Sequence, residues 1–290
     1  MQIREQAGSH TLSSGCLALA IVKNFPQYEQ ILAHIQIDYD DLLQGIRWHD
    51  YLHARKDELG KYIKTGGIAR DWSFGYIPLL KHFGQNISES LTGRRLMSAK
   101  IAAHQQIISH MIEVFGSGGR QNVALVGAYG VGKTNIVQGF AERLLDASAD
   151  IPSNLRFRQI IMLDSARLVS MAAKNGDLEG LVSRILSEAY EAKNIIVCLD
   201  NAELFFQDGT GSVDLSKLLM PILEAGNLRI ILTMNEQSFL QIAQKMPGIA
   251  NALNKIMVAP TDKNDTMLVL QDKVVVLEMR LGVIFMYQAL

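Results

Sequence analysis

The chain has 290 residues, 48% hydrophobic and 20% charged, which is the composition of a soluble globular protein with one large domain or two smaller ones. Its 28 basic and 29 acidic residues give a formal net charge of −1, which argues against nucleic acid or a membrane surface as a partner. The two cysteines, Cys16 and Cys198, exclude a disulfide scaffold and favour a reducing compartment. No run of about 18 apolar residues occurs, so we expect a cytoplasmic protein without a transmembrane helix.

The N-terminal part of the chain is predicted to be mainly helical. In residues 10–46 apolar side chains recur at helical spacing, interrupted by the breaker Asn24-Phe25-Pro26 and closed by Gly45. Residues 47–75 combine charges with a turn pair of glycines, which indicates a linker with some helix. Residues 95–115 predict an amphipathic helix that ends in a glycine-rich turn.

Histidine is confined to the part of the chain before residue 111. The remainder therefore has no histidine-based hydrolytic site and no histidine-ligated metal. His49 and His53 are spaced as i and i+4, but no third ligand lies near them in the sequence, so we do not expect a metal site there.

From residue 123 onward, short apolar runs alternate with longer helical patterns. The apolar runs are rich in β-branched residues or leucine and predict strands buried on both faces: Val123–Val126, Gln159–Leu163, Asn194–Leu199 and Leu228–Thr233. The segments between them have helical periodicity: Asn135–Asp146, Leu178–Ala192 and Leu215–Glu224. This alternation predicts an α/β fold with a parallel sheet covered by helices.

The segment between the first strand and the first of these helices matches the Walker A pattern G-x-x-x-x-G-K-[ST]. It reads Gly127-Ala128-Tyr129-Gly130-Val131-Gly132-Lys133-Thr134. Glycines let the backbone N–H groups point at phosphates, the lysine can reach the β- and γ-phosphates, and the Thr134 hydroxyl can ligate Mg²⁺. The following helix directs its positive end at the same anion. The pattern therefore predicts binding of ATP with Mg²⁺.

Two polar residues follow other predicted strands. Asp200 comes directly after the run that ends at Leu199 and is the candidate second ligand of Mg²⁺, through water. Asn235 follows the run that ends at Thr233 and is a candidate sensor of the γ-phosphate or the attacking water. An aspartate that merely caps a helix, and an asparagine that merely makes a turn, are the alternatives.

The sequence around these motifs resembles the first ATPase module of the Clp/Hsp100 family of AAA+ unfoldases. The resemblance rests on Gly127 to Arg143 (GAYGVGKTNIVQGFAER), on Gly211 to Pro221 (GSVDLSKLLMP) and on the lead-in segment from Leu79 to Ser88. It implies an AAA+ large subdomain, and it places Leu91 and Thr92, just before Gly93-Arg94, in the adenine pocket. Asp265-Thr266 resembles the start of the family's small helical lid.

The resemblance also implies a domain organisation. Residues 1–46 are similar to part of the family's N-terminal repeat domain, 47–85 are a linker, 86–262 are the AAA+ large subdomain, and 263–290 begin the lid. Because the resemblance covers only the start of the lid and one ATPase module, we expect the chain to be a fragment of a longer protein.

Three features of the family are altered. The glutamate that polarises the attacking water is replaced by Asn201, and we do not expect Glu203, three residues beyond Asp200, to reach its place. The two interface arginines of the family correspond to Asn251 and Ala252. The basic-aromatic pair of the pore loop corresponds to Ala173 and Lys174.

Together these observations predict an ATP-binding module of a Clp-like protein-remodelling machine in which hydrolysis is impaired. By the same resemblance, its partners would be a protein substrate, a protease or adaptor, and further copies of itself in a hexameric ring. The alternative is a non-enzymatic, ATP-stabilised assembly or adaptor subunit. An unrelated P-loop kinase or DNA-loading ATPase would leave the match at Gly211 to Pro221 unexplained.

Overall fold

The structure, a computed structural model, describes residues 13–34, 36–60, 76–90, 102–119, 121–146, 149–175, 178–206, 216–226 and 228–286. The chain divides into two compact units, one of residues 1–61 with 263–290 and one of residues 62–262. Among the described helices, none has the length and apolar character needed to span a bilayer.

The described elements follow the alternation predicted for the central part of the chain. In chain order they are α1 (Ser14–Asn24), α2 (Tyr28–His34), α3 (Tyr39–Gly60), α4 (Pro78–Phe83), β1 (Gly84–Asn86), α5 (Ile87–Ser90), α6 (Ala102–Gly116), β2 (Asn122–Val126), α7 (Lys133–Leu145), β3 (Gln159–Asp164), α8 (Ser165–Asn175), α9 (Leu178–Ala192), β4 (Ile195–Asp200), a 3₁₀ helix (Ala202–Phe205), α10 (Ser216–Ala225), β5 (Arg229–Met234), α11 (Glu236–Lys245), α12 (Pro247–Ala252), β6 (Asn254–Met257) and α13 (Lys263–Leu281).

The first unit is helical. Ser13 caps α1 by accepting a hydrogen bond from the N–H of Cys16, and the buried side chains of Cys16 and Leu19 pack against α3. Farther along α3, Leu52 packs against Val274 of α13. This unit therefore brings the N-terminal helices together with the segment that the sequence analysis assigned to a lid.

The predicted end of the third helix at Gly45 is wrong, because α3 continues to Gly60. A glycine inside a helix costs only about 1 kcal/mol relative to alanine. Packing outweighs that cost, since Ile46 contacts the buried Cys16–Leu19 pair of α1 and Leu52 contacts α13. Residues 47–60 of the predicted linker thus belong to α3.

The second unit contains a six-stranded sheet in the order β1-β3-β4-β5-β2-β6. The four apolar runs in the sequence form β2 to β5, which confirms those strands, and β6 extends the parallel part of the sheet beside β2. β1 pairs antiparallel with β3, so the sheet is mixed rather than wholly parallel as predicted. β1 is the short polar segment Gly-Gln-Asn, which carries no apolar run that would mark it as a strand.

The sheet separates two apolar cores. Along β2, Ala124 and Val126 face one core, while Val123 and Leu125 face the other, where Phe115 of α6 and Phe140 of α7 stack at 5.5 Å. Cys198 lies in the second core, and burial together with the charge of Asp200 raises the pKa of its thiol. Since β2 to β5 are covered on both faces, their sequences are apolar over most of their length.

The parallel strands present their carboxyl ends along one edge of the sheet. Val126 is paired with Met234, and Leu199 with Leu232, so the residues that follow β2, β4 and β5 are neighbours. Ligands of open α/β sheets bind at this edge. The fold therefore gathers the Walker A loop, Asp200 and Asn235 into one place.

Candidate nucleotide-binding site

The Walker A segment forms a tight loop between β2 and α7. Gly130 and Gly132 have φ angles of +82° and +94°, in the left-handed region that favours glycine. A Cβ on Gly127 would lie 2.5 Å from the carbonyl oxygen of Val258, so a side chain does not fit there. Glycine at these three positions allows the loop to turn tightly at the N-terminus of α7, where a bound anion is stabilised.

Lys133 is the first residue of α7 and is 9% exposed. Its Nζ donates to the carbonyl oxygens of Gly127 and Ala128 at 2.8 and 2.9 Å, and it lies 5.6 Å from the centre of the Tyr129 ring. Burial lowers the pKa of Lys133, while the charges of Glu203 and Asp200 act in the opposite direction. The loop thus holds a buried cation whose present acceptors are neutral carbonyls, and phosphate oxygens would be stronger acceptors.

His104 of α6, which the sequence analysis did not select, supports the loop from behind. It is buried, and a Cβ on Gly132 would lie 3.1 Å from its Cε1 atom. Val131 packs against the second core and lies close to Gly127. The loop is therefore fixed by contacts on its protein side.

Asp200 ends β4 and is held by its neighbour on β5. The hydroxyl of Thr233 donates to Oδ1 of Asp200 at 2.5 Å and accepts the N–H of Asn201 at 3.1 Å. A hydroxyl and a carboxylate are the oxygen donors that Mg²⁺ prefers, and Mg²⁺ usually takes its other ligands from water and from substrate phosphates. The side chains of Thr134 and Asp200 therefore fit the Mg²⁺ ion that the Walker A motif implies.

Asn235 has two functions in the structure. Its Oδ1 accepts the N–H of Ser238 at 2.7 Å and so caps α11. Its Nδ2 donates to the hydroxyl oxygen of Tyr129 at 3.1 Å and to Oε1 of Glu203 at 3.3 Å. The capping role and the position at the site are thus compatible, because they use different atoms of the amide.

Glu203 lies much closer to the site than the sequence analysis expected. Asn201 has a φ of +53°, and this left-handed turn starts the 3₁₀ helix that carries Glu203. Its side chain is 3% exposed, and Oε1 accepts from the Tyr129 hydroxyl at 2.8 Å as well as from Asn235. We call Tyr129, Glu203 and Asn235 the loop cluster. A glutamate inside the apolar run Ala-Glu-Leu-Phe-Phe was the only sequence signal for it.

The other predicted positions are distributed as follows. Asn251 is exposed and Ala252 is buried at the end of α12, and Ala173 and Lys174 fall in the last turn of α8. Leu91 and Thr92, predicted for the adenine pocket, lie outside the described residues, as do residues 211–215 of the second resembling segment. In the described part of the chain, no group of three or more His, Cys, Asp or Glu side chains is arranged to hold a metal by itself.

Comparison with known proteins relates this arrangement to Clp and Hsp104 proteins, although no family model matches the chain. The chain is 29% identical over 195 residues to a ClpA homolog, the ATP-binding subunit of an ATP-dependent Clp protease, from Porphyra purpurea, covering 67% of this chain and 23% of the relative. It is 27% identical over 278 residues to the chaperone protein ClpB of Prochlorococcus marinus, covering 93% of this chain and 30% of the relative. The chain thus spans 23% and 30% of the length of these two relatives.

Solved structures show the same relationship in three dimensions. A closed-state reconstruction of Hsp104 with ATPγS and FITC-casein matches with a TM-score of 0.61 and 27% identity, over 70% of this chain and 34% of that chain. The Hsp104–ADP complex of S. cerevisiae matches with a TM-score of 0.59 and 25% identity, over 70% and 28% of the two chains. In sequence and in fold, the chain is thus similar to the Clp/Hsp100 AAA+ ATPases, and its second unit has their α/β P-loop fold.

Proposed function

We propose that this module binds ATP with Mg²⁺, hydrolyses it slowly, and belongs to a Clp-like protein-remodelling machine. The observation that supports the proposal most is the meeting of the Walker A loop, Asp200 and Asn235 at one edge of the sheet. Phosphoryl transfer needs little covalent chemistry from the protein, so positioning and charge stabilisation are what such a site must supply.

The roles of the residues follow from their positions. The loop N–H groups and the N-terminus of α7 would cradle the phosphates, and Lys133 would exchange its carbonyl acceptors for phosphate oxygens. Thr134 and Asp200 would hold Mg²⁺, which when bound neutralises part of the triphosphate charge. Asn235 would face the γ-phosphate, and Leu91 with Thr92 would border the adenine.

Slow hydrolysis is proposed from the residues at three positions. Asn201 cannot act as a general base, and Asn251 and Ala252 offer no cation to a neighbouring subunit. General-base catalysis contributes about 10²–10⁴ in rate, and an arginine finger about 10³–10⁵. Changes at both positions are expected to leave binding intact and to lower turnover.

The proposed partners come from the relatives. Those relatives are named as chaperones and as ATP-binding subunits of Clp proteases, and one Hsp104 structure includes casein. We propose a protein substrate, a partner protease or adaptor, and a homo-oligomeric, hexameric ring in the cytoplasm. The net charge of −1 supports partners other than nucleic acid or membrane.

The second candidate is a non-enzymatic subunit in which bound ATP controls assembly. It is favoured by Ala173 and Lys174, since the absence of an aromatic residue there removes the group that would grip a threaded polypeptide. Both candidates require nucleotide binding, and they differ in whether turnover is needed.

The decisive experiment measures the mass of the protein in solution, by light scattering, with and without ATP and Mg²⁺, alongside the rate of phosphate release. Assembly with slow turnover supports the machine, and assembly without turnover supports the second candidate. Lys133→Ala is the control, because it should abolish every effect of nucleotide. A mass and a stability that do not respond to ATP would contradict both.

A further inference from the structure

The loop cluster places a carboxylate beside the predicted sensor asparagine, although the position of the usual catalytic glutamate is an asparagine. We propose that Glu203 is the catalytic carboxylate of this site and accepts a proton from the water that attacks the γ-phosphate. The inference rests on the proposed function, since it assigns a residue to the slow hydrolysis described above.

Glu203 lies beside both the Walker A loop and the predicted sensor. Oε1 of Glu203 is 3.3 Å from Nδ2 of Asn235, the side chain expected to face the γ-phosphate, and 2.8 Å from the hydroxyl of Tyr129 in the Walker A loop. The side chain of Asn201 cannot accept a proton in the way a carboxylate does. Among the described residues, Glu203 is thus the carboxylate hydrogen-bonded to both the loop and the sensor.

The two carboxylate oxygens of Glu203 differ, because only Oε1 is hydrogen-bonded in the described part of the chain. Oε2 of Glu203 is buried and has no hydrogen-bond partner among the described residues. A buried carboxylate oxygen without a partner is costly and calls for an explanation. Glu203 also lines a cavity of about 180 Å³ together with Ser238 and Lys245 of α11, which is room for several water molecules. A water molecule that binds Oε2 would satisfy this oxygen, and we assign that water as the nucleophile when nucleotide is bound.

Glu203 also acts through its charge on Lys133. Ionisable groups reach the cluster from each neighbouring element: Lys133 from α7, Asp200 from β4, Tyr129 from the loop and Lys245 from α11. Among the charges that act on Lys133, Glu203 has a larger effect than Asp200. Glu203 is therefore close to the ammonium group that is expected to contact the β- and γ-phosphates.

The proposed step balances as an ordinary hydrolysis. The water oxygen forms a bond to the γ-phosphorus, and the bond between that phosphorus and the β,γ-bridging oxygen breaks with its electron pair passing to ADP. The water proton passes to Oε2 of Glu203 and then to phosphate or solvent. Two hydrogen-bond donors hold Oε1 and leave Oε2 as the atom that accepts the proton.

The test is the single-turnover rate of radiolabelled ATP by the full chain, with ATP affinity measured separately by calorimetry. Glu203→Gln keeps the shape of the side chain and should lower the rate by about 10²-fold, the lower end of general-base effects, while ATP affinity changes by less than about threefold. Glu236→Gln is the matched control, because Glu236 is exposed at the start of α11 and its substitution removes the same charge near the site. It should leave the rate unchanged.

A second variant keeps the test valid if Glu203→Gln does not fold. Tyr129→Phe removes one of the two donors that hold Oε1 of Glu203, so the carboxylate is less well oriented and the single-turnover rate should fall severalfold, while ATP affinity changes by less than about threefold. A purely structural role for Glu203 would lower stability or ATP affinity and not the rate alone, and a Tyr129→Phe rate equal to that of wild type would overturn the proposal.

Three further outcomes would overturn it: no detectable turnover by the wild-type chain, a Glu203→Gln rate equal to that of wild type, or a parallel loss of ATP affinity and rate. Failure of the proposed function itself is distinguishable from these, because it would appear as ATP binding that is absent or unaffected by Lys133→Ala.

Discussion

Thr233 and Asp200 form a hydrogen-bonded pair across two neighbouring strands at the edge of the sheet. The Thr233 hydroxyl donates to Oδ1 of Asp200 at 2.5 Å and accepts the N–H of Asn201 at 3.1 Å. Thr233 is fully buried, so its hydroxyl is held in place to orient the partly buried carboxylate of Asp200. The proposed Mg²⁺ ligand is therefore positioned by a side chain that would not itself contact nucleotide.

Thr233→Val should show how far the Thr233 hydroxyl contributes to stability and to nucleotide binding. The substitution keeps the shape of the side chain but removes the hydroxyl that serves Asp200 and Asn201, so we expect a loss of about 1.5–3 kcal/mol in the free energy of unfolding. We also expect weaker binding of Mg²⁺-ATP, because the carboxylate is no longer oriented. Urea unfolding and calorimetry measure the two effects. Thr233→Ser, which keeps the hydroxyl, should retain most of both, and equal losses in the two variants would contradict the role of the hydroxyl.

Lys133 gives a prediction about pH. Burial lowers its pKa, so between that value and its ordinary value the unfolded chain binds more protons than the folded chain. The contribution of Lys133 to the stability of the nucleotide-free protein should therefore rise with pH across this window. ATP affinity should fall across the same window, because phosphate binding needs the ammonium form. Chemical unfolding and calorimetry, each as a function of pH, check the opposite signs, and Lys133→Ala should show neither trend.

Gly132→Ala should affect both stability and binding. The residue has a φ of +94°, which strains any side chain, and a Cβ there would lie 3.1 Å from His104, so the loop or His104 has to give by a few tenths of an ångström. Strain of this kind costs about 1–3 kcal/mol, and ATP binding should fall strongly because the loop N–H groups move. The matched control is Gly118→Ala, since no atom lies within 4 Å of a Cβ built there. Thermal melting with and without ATP distinguishes the two variants.

The first unit contains a partly buried ion pair that should control its stability. Nζ of Lys56 is 3.0 Å from Oε2 of Glu278, and Oε1 of Glu278 accepts the N–H of Phe285 at 3.0 Å. Burial by itself would raise the pKa of Glu278, but the N–H of Phe285 and the charge of Lys56 outweigh it and the pKa is lowered. The stabilising contribution is therefore complete above the ordinary pKa of glutamate and is lost as pH falls through the lowered value.

Lys56→Met tests this pair directly. It leaves the buried carboxylate without its cation, and we expect a loss of about 1–3 kcal/mol in the free energy of unfolding at neutral pH, with a smaller difference from wild type in acid. Lys23→Met, at the exposed end of α1, is the control for loss of one positive charge and should have little effect. A similar loss in both variants would mean that the specific contact with Glu278 is unimportant.

The sequence alone predicted the central strands and the Walker A loop because their determinants are local. Residues buried on both faces of a sheet are mostly apolar at consecutive positions, as in residues 123–126 and 160–163, and this pattern is visible without knowing the neighbouring strands. A loop that approaches phosphate needs glycine where φ is positive, so Gly130 and Gly132 are visible in the sequence for the same reason.

Tertiary structure decided the features that depend on distant contacts. β1 is a strand because its backbone pairs with β3, and Gly45 lies inside a helix because α3 packs against both α1 and α13. The loop cluster joins Tyr129, Glu203 and Asn235, which are far apart in the chain and carry no shared motif. The left-handed turn at Asn201 brings Glu203 to the sheet edge, and no local pattern records where such a turn directs the next side chain. Motifs and apolar runs are determined by single segments, whereas hydrogen bonds between strand ends exist only after the sheet has assembled.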